Sequence, residues 1–191
     1  MSACRTGFRS SSPERRLMRL EAVISLYSRL QQAGIPIWLD GGWGVDALLG
    51  YQTREHSDLD LVVEDSDLPR LNVLLLANGF TPCPSDDCRP WNFVLAHPGG
   101  ELIDIHVVSF DGYGDGIYGP PENGQLYPAA AFAGRGQIGG LRVFCLTPEY
   151  QLESHRGYPP RGKDFQDVRA LAAAFKLPIP AEYSLGRDGG S

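Results

Sequence analysis

The sequence predicts an α/β (α+β) fold, a mixed β-sheet flanked by helices with a C-terminal helical segment. Three observations carry this. Apolar residues recur at spacings of three and four in some stretches and alternate in others, so helices and strands interleave. Two apolar runs, 91–96 and 101–108, are joined by His97-Pro98-Gly99-Gly100, a hairpin turn, so at least one strand pair is antiparallel. The chain has 191 residues with 42% hydrophobic and 21% charged side chains, enough for a buried core without metal or disulfide staples.

In chain order, Leu17, Leu20, Val23, Ile24, Tyr27 and Leu30 form a helical stripe within 13–34, which Gly34 closes and Pro36 follows. Ile35 to Leu39 is a short apolar run between breakers and reads as a buried strand. Asp40-Gly41-Gly42 reads as a turn, Trp43 to Leu49 as a short helix ended by Gly50. Across 58–64, Leu59, Leu61 and Val63 alternate with Asp58, Asp60 and Val62, the clearest strand of the chain. Ser66-Asp67 can cap a helix over 68–78. Residues 80–90 read as a loop, and 111–136, rich in Gly, Pro and Tyr, as a long irregular excursion. A strand pair around Gly139-Gly140 and helices over 148–155 and 164–175 complete the pattern. The predicted organisation is a disordered segment 1–16, a core 17–110, an extension of the same domain over 111–180 and a flexible tail 181–191, with Met18 as an alternative start to Met1.

Composition narrows the function classes. The net charge is −6, and the dense basic cluster is confined to the N-terminus, which disfavours nucleic acid as a main ligand. No window of apolar residues is long enough to span a membrane, and no secretory signal follows the N-terminal arginines. Cys4, Cys83, Cys88 and Cys145 form neither a CxxC pair nor a zinc spacing, as expected of reduced thiols in a cytoplasmic protein.

The chemistry concentrates in 38–64. On a strand, residues i and i+2 project from one face, so Asp58 and Asp60 point together. Two carboxylates that close repel unless cations lie between them, and their separation suits Mg²⁺ bound to a triphosphate. Asp-x-Asp is also common on a solvated strand face. Gly41-Gly42 at a strand-to-helix turn frees backbone N–H groups for phosphate. Asp104 sits in the otherwise apolar run Leu102-Ile103-Asp104-Ile105, where a lone carboxylate requires compensation. Beside Asp58 and Asp60 it would complete a three-carboxylate metal cluster.

These residues carry a resemblance. The run Trp38-Leu39-Asp40-Gly41-Gly42-Trp43-Gly44-Val45-Asp46-Ala47, then Arg54-Glu55-His56-Ser57-Asp58-Leu59-Asp60-Leu61, resembles the nucleotidyltransferases of DNA polymerase β type. Within them it is most similar to the lincosamide nucleotidyltransferases and the aminoglycoside 2″-adenylyltransferases. The similarity continues in Glu101-Leu102-Ile103-Asp104-Ile105-His106, in Gly116-Ile117-Tyr118-Gly119, in His155-Arg156-Gly157-Tyr158 and in Lys163-Asp164. It implies the polymerase β-type fold and a Mg²⁺-dependent transfer, with two ions, of a nucleoside monophosphate from a nucleoside triphosphate, ATP first, to a hydroxyl of a small antibiotic. By resemblance, Asp58, Asp60 and Asp104 hold the metal, Asp104 also acts as base, and Gly41, Gly42, His56 and Lys163 hold the phosphates. His56 reads equally as a structural histidine, Lys163 as an exposed lysine.

The acceptor site is expected around Trp91, His106 and Tyr118, although Trp91 and Tyr118 also read as core or packing residues. In the aminoglycoside branch a carboxylate follows the third aspartate by two positions; here that position is His106, which favours the lincosamide branch over a polycationic acceptor. The alternatives are an aminoglycoside acceptor, a protein or tRNA acceptor on the same fold, and a non-catalytic nucleotide-binding regulator. A homodimer through the C-terminal helices is compatible with the sequence.

Overall fold

The computed structural model describes residues 16–122 and 124–184. The first helical stripe becomes α1 (Leu20–Gln32), which buries Val23, Leu26, Tyr27 and Leu30. It starts later than the stripe suggests because the Met18 N–H is drawn into a bridge with the His56 carbonyl, at 2.8 Å. The predicted helical residues 13–15 lie outside the described residues.

Next come β1 (Ile37–Asp40), α2 (Gly41–Leu49), β2 (Leu59–Glu64), a 3-10 turn (Asp65–Asp67) and α3 (Leu68–Ala77). The Asp67 side chain does not cap α3; it pairs with Arg70 at 2.7 Å instead. Three strands follow, β3 (Thr81–Cys83), β4 (Asn92–Ala96) and β5 (Leu102–Phe110). β3 occupies part of the stretch expected as loop, because its backbone pairs with β4 although all three of its residues are exposed. Of the cysteines, Cys83 and Cys88 are exposed and Cys145 buried, all three unpaired.

The excursion 111–136 is not irregular throughout. It contains β6 (Gly116–Tyr118), β7 (Gln125–Tyr127) and a 3-10 stretch (Ala129–Ala133), and runs into β8 (Arg135–Ile138). Strands of three residues give no periodic signal, yet β6 pairs with β5 and β7 with β6, extending the main sheet. β8 and β9 (Leu141–Phe144) form a separate hairpin that approaches α2 at Gly136, where a side chain would strike the Ala47 backbone. The chain then forms α4 (Pro148–Ser154), α5 (Gly162–Phe175) and α6 (Ala181–Ser184). Tyr183 of α6 is buried and donates to the His155 carbonyl at 2.5 Å, so order extends into the segment expected as a flexible tail.

The main sheet runs β1-β2-β5-β4-β3, with β6 and β7 continuing along β5. β2 and β5 are parallel and the other pairs antiparallel, a mixed sheet. Strand parity divides its two faces. Leu39, Leu61, Ile103 and Ile105 face a core completed by α1 and α3. The other face carries Trp38, Val62 and Val108, which pack with Phe132, Tyr127 and Tyr150, and beyond them the acidic residues. Among the described residues no helix is long and apolar enough to cross a membrane.

Candidate active site

The register places three aspartates in one row. Asp40 pairs with Asp60 across β1–β2, and Asp60 with Asp104 across β2–β5. Residues opposite each other on neighbouring strands share a face, so the three carboxylates project together. His106, two positions beyond Asp104, joins them. Its Nδ1 lies 3.5 Å from Asp40 Oδ2 and its Nε2 3.7 Å from Asp104 Oδ1. Ligand atoms of Asp60, Asp104 and His106 all lie within 4.8 Å of one another.

The electrostatics follow from this crowding. Desolvation pushes the Asp60 carboxyl up to about 7; the neighbouring His106 opposes this while Asp58, Asp40 and Asp104 reinforce it. Burial disfavours the charged form of His106, but Asp104, Asp40 and Asp60 outweigh it and raise the imidazole to about 10. Asp104 Oδ1 and His106 Nδ1 are buried without a hydrogen-bond partner among the described residues. Hard oxygen donors, mutually repelling and partly unpartnered, fit a divalent cation.

Asp58 directly precedes β2 and is not one of the three convergent groups, although it lines the same cleft of about 480 Å³ as Asp60. Of the sequence-predicted residues, that cleft also receives Gly41, Gly42, His56, His106, Tyr118 and Lys163. Asp104 stands beside it through its contact with His106. Trp91 is the exception. It packs half-buried against the α1/α3 core and does not line the cleft, because its place just before β4 turns it to the opposite side of the sheet.

The Gly-Gly pair is not a free turn but the first turn of α2. Asp40 is the N-cap, accepting from the Gly41 N–H at 2.7 Å. Gly41 has φ +52°, and a side chain there would strike the Asp60 carboxylate; one on Gly42 would strike the His56 ring. Glycine therefore lets the amide-bearing helix start approach the acidic row directly. His56 is buried under this turn with Nε2 on the Asp46 carboxylate and Nδ1 against Gly42. Lys163 stands on the first turn of α5 across the cleft.

On the sheet side, Asn92 Nδ2 donates to the Tyr118 hydroxyl at 2.6 Å, and the Tyr118 ring meets His106 edge-on at 5.7 Å. Burial, with Asp104 and Asp40 nearby, pushes the Tyr118 phenol up to about 12, so it stays protonated. The sequence reading missed Asp40, Arg54, Asn92, Gln125, Tyr127 and Asp167, all lining the cleft. Asp40 and Arg54 were visible inside the motif; Gln125 and Tyr127 belong to strands with no periodic signal.

The aminoglycoside-2″-adenylyltransferase family matches residues 22–171. The chain belongs to this family. A lincosamide resistance protein of Staphylococcus haemolyticus is 27% identical to it over 149 residues, 78% of this chain and 89% of that protein. A 2″-aminoglycoside nucleotidyltransferase of Escherichia coli is 50% identical over 119 residues, which span 62% of each chain. The lincomycin-bound lincosamide antibiotic adenylyltransferase LnuA superposes with a TM-score of 0.73 at 25% identity, covering 83% of this chain and 99% of that one. ANT(2″)-Ia in complex with adenylyl-2″-tobramycin gives 0.63 at 21% identity over 82% and 88% of the two chains, a likeness of fold. The protein is therefore a nucleotidyltransferase of an antibiotic-modifying family, with the nucleotidyltransferase fold.

Proposed function

We propose that this nucleotidyltransferase moves a nucleoside monophosphate, AMP from ATP in the first instance, onto a hydroxyl of a lincosamide. The observation that carries the choice of acceptor is His106, an imidazole set between Asp40 and Asp104, whose carboxylates favour its charged form. It offsets negative charge where an aminoglycoside would need a carboxylate. The likeness to a lincosamide resistance protein and to lincomycin-bound LnuA supports the same reading.

Asp60 and Asp104, with Asp58 at the rim, would hold Mg²⁺, which neutralises charge on the phosphoryl oxygens. Asp104 Oδ1, which has no hydrogen-bond partner among the described residues, takes the proton of the acceptor hydroxyl. The hydroxyl oxygen bonds to the α-phosphorus as the bond to pyrophosphate breaks. The helix start at Gly41 and Gly42, with the Gly42 amide, and His56 and Lys163 orient the triphosphate; Tyr118, held by Asn92, offers its hydroxyl to the acceptor.

An aminoglycoside acceptor is the second reading, favoured by the remaining carboxylates of the cleft and by the Escherichia coli relative. Incubation with ATP or GTP, Mg²⁺ and a panel of lincomycin, clindamycin and tobramycin, followed by mass spectrometry of the drugs, separates the two. A nucleotidyl increment on lincomycin is expected. An increment on tobramycin alone replaces the first reading with the second, and none on any drug removes both.

A further inference from the structure

The phosphate side of the cleft is spanned by a buried ion pair that the roles above leave unexplained. Asp167 lies four residues beyond Lys163, one turn along the same face of α5, and is 1% exposed. A carboxylate that deep is stable only when fully paired. Its Oδ1 accepts from Arg54 Nε at 3.0 Å and its Oδ2 from Arg54 Nη2 at 2.6 Å, a two-point grip on a residue distant in sequence. Gln166 Nε2 donates to the Thr53 carbonyl at 3.1 Å, a second tie between α5 and the same loop.

The grip sets where the guanidinium goes. Arg54 lies against the first turn of α2, since a side chain on Gly42 would strike its Nη2 as well as the His56 ring. An arginine carries five N–H donors in a fixed fork. Here Nε and one N–H of Nη2 serve Asp167, and one N–H of Nη1 serves the Glu55 carbonyl at 3.2 Å. Among the described residues nothing takes the remaining N–H on either terminal nitrogen, and Arg54 lines the cleft. A tie needed only for folding has no reason to place a cation over an amide-bearing helix start.

We propose that Asp167 is a positioning residue: it orients the Arg54 guanidinium over the first turn of α2, so that its two spare N–H groups meet the phosphates of a nucleoside triphosphate. This rests on the nucleotidyl-transfer reading above. It makes α5, with Lys163, and the loop before β2 one rigid phosphate clamp. Lysine cannot replace Arg54, because a point charge lacks the fork that satisfies Asp167 and phosphate together.

Calorimetry of the full chain with Mg²⁺ and non-hydrolysable ATP and GTP analogues tests it, beside Asp167→Asn, Asp167→Glu and Arg54→Lys, each with a thermal melt and a lincomycin titration. Asp167→Asn and Arg54→Lys are expected to weaken analogue binding about tenfold, with lincomycin binding within about twofold and partial recovery in Asp167→Glu. Should Asp167→Asn fail to fold, Arg54→Lys supplies the same readout. Unchanged analogue binding in a folded variant overturns the inference while leaving the reaction standing, as does equal weakening of both ligands, the mark of a purely structural pair. Wild-type protein that binds neither analogue overturns both.

Discussion

Two sets of aspartates lie in the interior around the cleft, and they are wired differently. Asp46 and Asp167 are saturated. Asp46 accepts from the Thr53 N–H at 3.0 Å, the Thr53 hydroxyl at 2.6 Å and the His56 ring. Asp167 grips Arg54 twice. Asp40, Asp60 and Asp104 are not saturated. Asp40 accepts one backbone bond, Asp60 none among the described residues, and the imidazole between Asp40 and Asp104 stands 3.5 and 3.7 Å away, too far for good hydrogen bonds. In the first set the negative charge fixes loops; in the second it has little hydrogen bonding to offset it among the described residues.

Removing a carboxylate should therefore have opposite consequences in the two sets. The largest effect is expected for Asp104→Asn. Losing the proposed base should lower kcat about 10³-fold, while the melting temperature of the metal-free protein stays nearly level, because relief of the repulsion from Asp40 and Asp60 offsets the lost attraction to His106. Steady-state rates and a thermal melt check this. Retained activity, or a clear fall in melting temperature, would place Asp104 with the structural set and erase the contrast.

Asp46→Asn should do the reverse. The amide cannot accept the three bonds that hold Thr53 and His56, and stability should fall by about 2–3 kcal/mol. For a chain of this size that is roughly 5–10 °C in melting temperature. The kcat of the fraction still folded should change less than for Asp104→Asn. An unaltered melt would show that Asp46 is no more essential to folding than the acidic row.

This contrast was only half legible in the sequence. The alternation of 58–64 and the apolar run around Asp104 pointed to Asp60 and Asp104, since a lone carboxylate in an otherwise apolar run requires compensation. The core under α1 and α3 was equally plain, as it rests on strict periods. Asp40 was visible in sequence as part of a turn, but its place in the row depends on the β1–β2 register, which periodicity alone does not set. The partners of Asp46 and Asp167 come from chain reversals and a long-range contact, so neither pairing has a local signature. Of the two readings of Trp91, the structure supports core packing: its place at the entrance to β4, not its chemistry, decides which side of the sheet it packs on. The irregular look of 111–136 hid β6 and β7, whose pairing is supplied by the neighbouring β5 rather than by their own residues.

The smallest effect, and the one that sharpens the contrast most, concerns His106. Its ring lies directly between two members of the unsaturated row, Asp40 and Asp104. Replacing it by a carboxylate adds charge to the set that is already unpaired, while leaving Asp46 and Asp167 untouched. His106→Glu should thus shift the ratio of kcat/KM for tobramycin over lincomycin upward by about tenfold, the equivalent of about 1.4 kcal/mol. The gain should shrink as salt is raised, because part of it is long-range attraction between a polycation and an acidic cleft. Competition assays with both drugs at low and high salt read the ratio directly. If the ratio does not move, His106 does not tune the charge of the acceptor site, and the proposed preference for an acceptor of low charge must rest on the shape set by Tyr118, Gln125 and Tyr127 instead.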